Sequence, residues 1–228
     1  MKNRKTVAVI LAAGIGSRMG ANITKQKMLI NGRSVISRSV GAFFDSALID
    51  SIVVVGRAEE LGYLHTELEP FKSKISAIVS GGATRFESAR IGFDNIPTGT
   101  EFVAIHDAAR PLVTVGIIDS VIRAAYECSA ATDAESVYDT VKVVENGVIT
   151  DTLDRTRLAL ARTPQVFSAE IYQSALLSAG DVTGVTDDNM MVERIGVRVR
   201  AVISDIPNPK ITTASDLKYA EFLLNGGS

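Results

Sequence analysis

The chain has 228 residues, 46% of them hydrophobic and 22% charged, with a formal net charge of −2. This is ordinary globular composition with enough length for a sizeable core, and it disfavours nucleic acid or an anionic membrane as the main partner. Cys128 is the only cysteine and His65 and His106 the only histidines, which excludes an internal disulfide, a cysteine zinc site and a histidine-rich metal site.

The first element is an apolar run over residues 7–13 behind a basic start, Met1 to Lys5. The run is too short for a membrane span and ends in glycines, so it reads as a core strand rather than a signal peptide. With the lone thiol, it points to a cytoplasmic location. Residues 7–11, 52–55, 75–79 and 102–105 are continuous apolar runs of the kind that suit parallel strands covered on both faces. Between them, residues 35–44, 58–68, 85–93 and 115–125 carry helical spacing. Cys128 follows the last of these and reads as a buried, inert thiol. The alternation predicts an α/β fold, a doubly wound, mostly parallel sheet.

One segment breaks that rhythm. Residues 137–144 alternate apolar and polar, Glu145-Asn146-Gly147 follows, and residues 148–153 form a second run. Asn-Gly between two such runs is a strong hairpin signal. Pattern alone leaves two readings open: an antiparallel extension at the sheet edge, or an arm that packs on a partner. Beyond it lie predicted helices over 169–177 and 188–195, a strand over 197–203 and a last helix over 214–224. No repeat or linker divides the chain, so residues 1–228 are expected to form one domain, with residues 137–155 as its arm.

Four segments carry candidate chemistry. The first is Leu11-Ala12-Ala13-Gly14-Ile15-Gly16-Ser17-Arg18-Met19-Gly20, a glycine turn after the first strand. Gly14 and Gly16 permit close approach of backbone to a ligand, and amides here can point at phosphate oxygens. The dinucleotide fingerprint fails at Met19, which argues against an oxidoreductase, and the chain has no Gly-Lys pair for a P-loop. Arg18, Lys25 and Lys27 cluster in and after the turn, as a polyanion such as triphosphate requires, although Lys27 also reads as a simple surface residue.

The second is His106-Asp107-Ala108-Ala109-Arg110-Pro111, at the carboxyl end of an apolar strand, where open α/β sheets bind ligands. Asp107 is placed to hold Mg²⁺, or to cap a helix or form a structural ion pair. Arg110 is placed for a second phosphorylated substrate. His106 reads as a packing residue. Third, Gly81-Gly82-Ala83-Thr84-Arg85-Phe86-Glu87-Ser88 offers a flat glycine surface and a hydroxyl for a base, or merely a capped helix start. Fourth, Lys210 follows Pro207 and Pro209 and precedes Thr212 and Thr213, a stiff setting.

In order and spacing these motifs resemble the 2-C-methyl-D-erythritol 4-phosphate cytidylyltransferase family, one of the sugar-phosphate nucleotidyltransferases. The resemblance covers nearly the whole chain: Ala12 to Met19, Lys25-Gln26, His106 to Pro111, Asp139-Thr140-Val141-Lys142, Asp154-Arg155, Thr163-Pro164-Gln165, Thr186-Asp187-Asp188 and Asn208 to Thr212. It implies CTP and methylerythritol phosphate as substrates and Mg²⁺ or another divalent cation as cofactor. Arg18, Lys25, Arg155 and Lys210 would be catalytic, and Ala12, Ala13, Gly14, Gly16, Gly82 and Ser88 would hold the nucleotide. Asp107, Arg110, Thr140 and Thr186 would bind the acceptor, with Asp107 also on the metal. The resemblance further implies that the hairpin is a homodimer arm reaching into the partner's site. Four positions depart from the family pattern: Thr24, Lys27, Pro209 and Arg162. Lys27 and Arg162 are expected to add positive charge near the phosphates. Two alternatives stand beside this reading: a ribitol 5-phosphate cytidylyltransferase, disfavoured by Ala13 and Ala108-Ala109, and a non-catalytic nucleotide-binding protein.

Overall fold

The computed structural model describes residues 4–14, 24–180 and 182–227. In chain order, β1 (Thr6–Leu11) precedes a 3-10 turn (Lys25–Lys27) and a short hairpin, β2 (Leu29–Ile30) and β3 (Arg33–Ser34). Then come α1 (Val35–Asp45), β4 (Ser51–Gly56), a 3-10 turn (Ala58–Glu60), α2 (Leu61–Glu67), β5 (Ile75–Ser80), α3 (Arg85–Asp94) and β6 (Phe102–Asp107). The second half has α4 (Val115–Cys128), β7 (Ala130–Ser136), β8 (Lys142–Glu145), β9 (Val148–Thr152), a 3-10 turn (Arg155–Arg157) and β10 (Ala159–Ser168). It closes with α5 (Ala169–Leu177), α6 (Asp188–Arg194), β11 (Arg200–Ile203) and α7 (Ala214–Leu224).

Seven strands form the main sheet in the order β11-β7-β10-β6-β1-β4-β5. All neighbours are parallel except β10, which runs antiparallel to both β6 and β7. The continuous apolar runs explain the centre. Side chains alternate faces along a strand, so β1 sends Ala8 and Ile10 to one side and Val7 and Val9 to the other, and all four are fully buried. Ile36, Val40 and Phe43 of α1 and Ile118, Val121 and Ile122 of α4 cover the first face. Ala89 of α3, Tyr172 of α5 and Met191 of α6 cover the second. Ser34, Thr84 and Thr114 cap α1, α3 and α4, each accepting a backbone N–H of the first turn. The predicted doubly wound α/β fold is observed.

Two strands were not legible. β7 reads Ala130-Ala131-Thr132-Asp133-Ala134-Glu135-Ser136, poor in β-branched residues, and β10 contains Pro164. Both strands lie inside the sheet because tertiary context overrides propensity. Proline cannot donate to a ladder, and the β10–β7 register accordingly breaks between Ala161 and Gln165. Arg162, in that break, is buried and paired through Nε with Asp133 Oδ2 at 3.0 Å. Its Nη2 also donates to the carbonyls of Ala134 and Ser204. Arg162 therefore stitches β10 to β7 and β11 and adds no charge to an anion site, contrary to the expectation from sequence.

The hairpin exists, with Asn146 and Gly147 both at positive φ, as a tight primed turn requires. β8 and β9 pair with each other and not with the main sheet, so the edge-extension reading is wrong. Val144, Val148 and Ile149 are each more than half exposed on this ribbon. Cys128, the last residue of α4, is half-buried rather than buried, its thiol directed at the Ala124 and Ala130 carbonyls.

Candidate active site

Because β1, β4, β5 and β6 run parallel, their carboxyl ends open at one edge: Leu11 lies beside Asp107 and Val55, and Gly56 beside Ser80. The loops there, the Lys25–Lys27 turn and Lys210 line a cleft of about 560 Å³. Ala13, Gly14, Lys25, Gly82, Ser88, Asp107 and Lys210, all expected from sequence, meet in it. Gly16 and Arg18 lie outside the described residues. Among the described lining residues, Lys25, Arg57, Arg85 and Lys210 face two acids, Glu59 and Asp107. The cleft is thus net cationic although the chain is net acidic, which favours an anionic ligand.

Ala12 sits behind the cleft wall. Its N–H donates to Val55 O at 2.7 Å and its carbonyl accepts Gln26 Nε2 at 2.6 Å, so its main-chain groups are committed to structure. Gln26 thereby fastens the Lys25–Lys27 turn to the end of β1. Lys25 lines the cleft from that turn. Lys27 does not line it, contrary to expectation. Its ammonium lies 3.3 Å from Glu60 Oε1 and 4.8 Å from the Tyr63 ring centre.

The Gly81-Gly82 step is a close backbone approach. A Cβ on Gly81 would lie 2.7 Å from both Ala13 Cβ and Ser88 Oγ, and one on Gly82 would lie 2.4 Å from Glu87 Cβ. Only glycine fits, and the bare backbone becomes part of the cleft wall. Thr84 and Glu87 form a reciprocal capping box that starts α3, so the capped-helix reading and the ligand-surface reading describe one segment.

Asp107 ends β6 almost fully buried. Its Oδ1 accepts from Arg85 Nε at 3.1 Å and its Oδ2 from Lys210 Nζ at 2.6 Å. Burial alone would raise its carboxyl pKa. Arg85, then Lys210, overcome that and hold it well below the usual carboxylate range. Arg85 also reaches Asp188 Oδ2 with Nη1 at 2.7 Å, and Asp188, fully buried, accepts Tyr172 OH at 2.7 Å. Burial opposes the Arg85 charge, but Asp188 and Asp107 more than restore it and raise its pKa.

Lys210 is carried by a tail docked on the β6 end. Ile211 N–H donates to Ala109 O at 2.7 Å, Arg110 Nη1 donates to Asn208 O at 2.6 Å, and Asn208 Nδ2 bonds Asp133 and Thr163. Arg110 lies beneath the cleft rather than along it, and burial pushes its pKa down. His106 is fully buried between Thr163 Oγ1, 3.0 Å from Nδ1, and the Phe43 ring. Burial lowers its pKa to about 3, and it packs as expected.

Thr140, Arg155 and Thr186 are exposed, and none lines the cleft of its own chain. Arg155 donates to Tyr138 O at the base of the ribbon. Sequence reasoning missed Arg57, Glu59 and the part played by Arg85. For Arg85 a cue existed, since a cation in a helix's first turn opposes the macrodipole and calls for carboxylate partners. Nothing in the pattern marks Arg57. The arrangement can hold a polyanion, place a second anion against it and present hydroxyls and bare backbone to a flat base. His106, the one histidine near it, is buried beneath.

Residues 6–226 match the family model for 2-C-methyl-D-erythritol 4-phosphate cytidylyltransferase (IspD). The enzyme of that name from Geobacter metallireducens is 41% identical over 221 residues, covering 94% of this chain and 95% of its own. That from Caldanaerobacter subterraneus is 42% identical over 221 residues, covering 95% and 97%. Among solved structures, the 4-diphosphocytidyl-2C-methyl-D-erythritol synthase of Anaerococcus prevotii superposes with a TM-score of 0.87 at 26% identity, covering 98% of this chain and 97% of that one. The 2-C-methyl-D-erythritol 4-phosphate cytidylyltransferase of Francisella tularensis gives 0.78 at 32% identity, covering 96% and 99%. A family match over nearly the full length, joined to the cationic cleft at the strand ends, establishes that this chain belongs to the 2-C-methyl-D-erythritol 4-phosphate cytidylyltransferase family.

Proposed function

We propose that this chain transfers the cytidylyl group of CTP to 2-C-methyl-D-erythritol 4-phosphate, giving 4-diphosphocytidyl-2-C-methyl-D-erythritol and pyrophosphate in isoprenoid precursor synthesis. The observation that carries the reading is the meeting of Lys25, Asp107 and Lys210 with Gly82 and Ser88 in one cleft. An acceptor phosphate oxygen attacks the α-phosphorus of CTP, and the bond to pyrophosphate breaks with its electron pair leaving on pyrophosphate. The acceptor phosphate is already anionic, so no general base is required.

Both reactants are anions, and their repulsion is the first obstacle. Lys25, with Arg18, neutralises the triphosphate, while Lys210 draws in the acceptor phosphate. Catalysis is then positioning and electrostatic stabilisation. Ala13, Gly14, Gly82 and Ser88 receive the nucleoside and the start of its phosphates. Mg²⁺ or another divalent cation is typically held by one or two carboxylates plus substrate phosphates. Asp107 is the carboxylate at the end of β6 that lines the cleft. Because its two oxygens pair with Arg85 and Lys210, holding the ion would require one of those contacts to yield, and the ion would then supply further positive charge there. Arg110 supports the Lys210 segment from beneath.

Arg155 and Thr140 flank the base of the arm, and neither lines the cleft of its own chain. The reading that accommodates them is a homodimer in which β8 and β9 cover a second copy and deliver both residues to its acceptor site, with Thr186 at that site's rim. The exposed Val144, Val148 and Ile149 support it, since a ribbon this apolar is better covered than solvated. No described helix is long and apolar enough to cross a membrane.

A pyrophosphate-release assay crossing CTP, UTP and ATP with methylerythritol 4-phosphate and ribitol 5-phosphate tests the reading. Release is expected from CTP with methylerythritol 4-phosphate. Release from ribitol 5-phosphate in its place would overturn the acceptor, and CTP binding without release would overturn the enzyme.

A further inference from the structure

Thr24 and Lys27, on either side of the Lys25-Gln26 step, converge on one carboxylate. Thr24 Oγ1 donates to Glu60 Oε1 at 2.5 Å, and Lys27 Nζ lies 3.3 Å from the same oxygen. Glu60 precedes α2, and its side chain is only 5% exposed. A carboxylate that buried is costly unless paired, so the three residues form one interdependent contact. Tyr63, one α2 turn on, receives the Lys27 ammonium on its ring.

The geometry of the turn gives this contact a consequence. A 3-10 turn has three residues per revolution, so side chains at i and i+3 lie one above the other. Lys27 N–H donates to Thr24 O at 3.0 Å, which places Thr24 and Lys27 on one side, against Glu60. Gln26 then points inward to Ala12 O, and Lys25 faces the cleft. Glu60 and the Ala12 carbonyl hold the turn from two directions.

We propose that Glu60 is a positioning residue for Lys25, acting through Thr24 and Lys27. The inference rests on the reading of Lys25 as a phosphate-binding catalytic group. Glu60 touches no substrate; it sets the angle at which the Lys25 ammonium meets the triphosphate. Misplacement of a catalytic group by about 1 Å costs on the order of 100-fold in rate, so loss of this anchor should lower kcat measurably without removing the lysine.

The test is a double-mutant cycle on pyrophosphate release from CTP. Glu60→Ala is expected to lower kcat roughly 10- to 100-fold, with a smaller change in the KM for CTP. Glu60→Gln still accepts from Thr24 and Lys27 and is expected to recover part of that loss. In a Lys25→Ala background, Glu60→Ala is expected to have little further effect, because the group it positions is gone. Additive losses, or a normal kcat for Glu60→Ala beside an impaired Lys25→Ala, would overturn the proposal alone. A normal kcat for Lys25→Ala would overturn the reading beneath it. Should Glu60→Ala fail to fold by circular dichroism, Thr24→Val and Lys27→Met repeat the cycle at the other ends of the same contact. Normal kcat in both would overturn the proposal.

Discussion

Arg85 donates its Nε–H to Asp107 Oδ1 across 3.1 Å and so ties the start of the helix after β5 to the carboxylate at the end of β6. The same guanidinium pairs with the fully buried Asp188 at 2.7 Å. One planar fork thus joins three elements, α3, β6 and α6, at the wall of the cleft. Arg85→Ala leaves Asp188 buried without its cation, which typically costs about 3 kcal/mol or more. Urea unfolding is expected to show that loss, and adding Asp188→Asn should return part of it. Arg85→Lys should not rescue, because an ammonium cannot span both carboxylates as the fork does. Equal stability of Arg85→Ala and the unsubstituted chain would remove the bridging role.

In the proposed reaction Lys25, which lines the cleft, acts through its charge on the triphosphate. Lys25→Ala is expected to fold normally and to lose ~10²–10³ in kcat, as removal of one transition-state donor does. Steady-state pyrophosphate release, with circular dichroism as the folding control, measures it. Lys25→Arg keeps the charge but not the shape, and an intermediate kcat is the expected outcome.

The position of Arg155 allows a test in trans. Lys25→Ala and Arg155→Ala chains are each expected to be poorly active alone. If Arg155 serves the partner's cleft, mixing them under exchange assembles one intact site per heterodimer, and activity returns. If it serves its own cleft, no intact site can form and the mixture stays inactive. Sedimentation of Ile149→Asp, which places a charge on the exposed ribbon, is expected to show a shift toward monomer. An unchanged dimer would place the interface elsewhere.

Acid should destabilise the fold in two stages. Burial lowers the His106 pKa to about 3, whereas an unfolded histidine titrates near 6.5. Between those values the unfolded chain binds a proton that the native chain does not. Stability therefore falls as pH drops through this window, by at most about 1.36 kcal/mol per pH unit from this one group. Asp107 acts lower. Its pKa is depressed in the fold, so its contribution is intact above the unfolded value near 3.9 and is lost only on further acidification. In a histidine NMR titration, the His106 imidazole is expected to stay neutral at pH 5. A native midpoint near 6.5 would contradict the burial argument.

How much of this was legible before folding depends on the range of the forces involved. The central strands, the covering helices and the Asn146-Gly147 turn follow from local rules, namely apolar periodicity and backbone conformation within a few residues. Gly82 and Asp107 stand just beyond or at the ends of predicted strands, Lys25 follows the first glycine turn and Ser88 lies in the first turns of a predicted helix, and their positions along the chain were readable for that reason. What distance along the chain conceals, only the tertiary structure decided. β7 and β10 gain their strand state from neighbours on either side, against their own composition. Lys27 and Arg162 carry the same charge as Lys25, yet Glu60 and Asp133 draw them into structural pairs, because a buried carboxylate must find a cation wherever the fold places one. Arg85 became a bridge once β6 and α6 arrived beside it, from residues 22 and 103 positions away. Charge identity is a property of the sequence, whereas which opposite charge lies within 4 Å is a property of the fold.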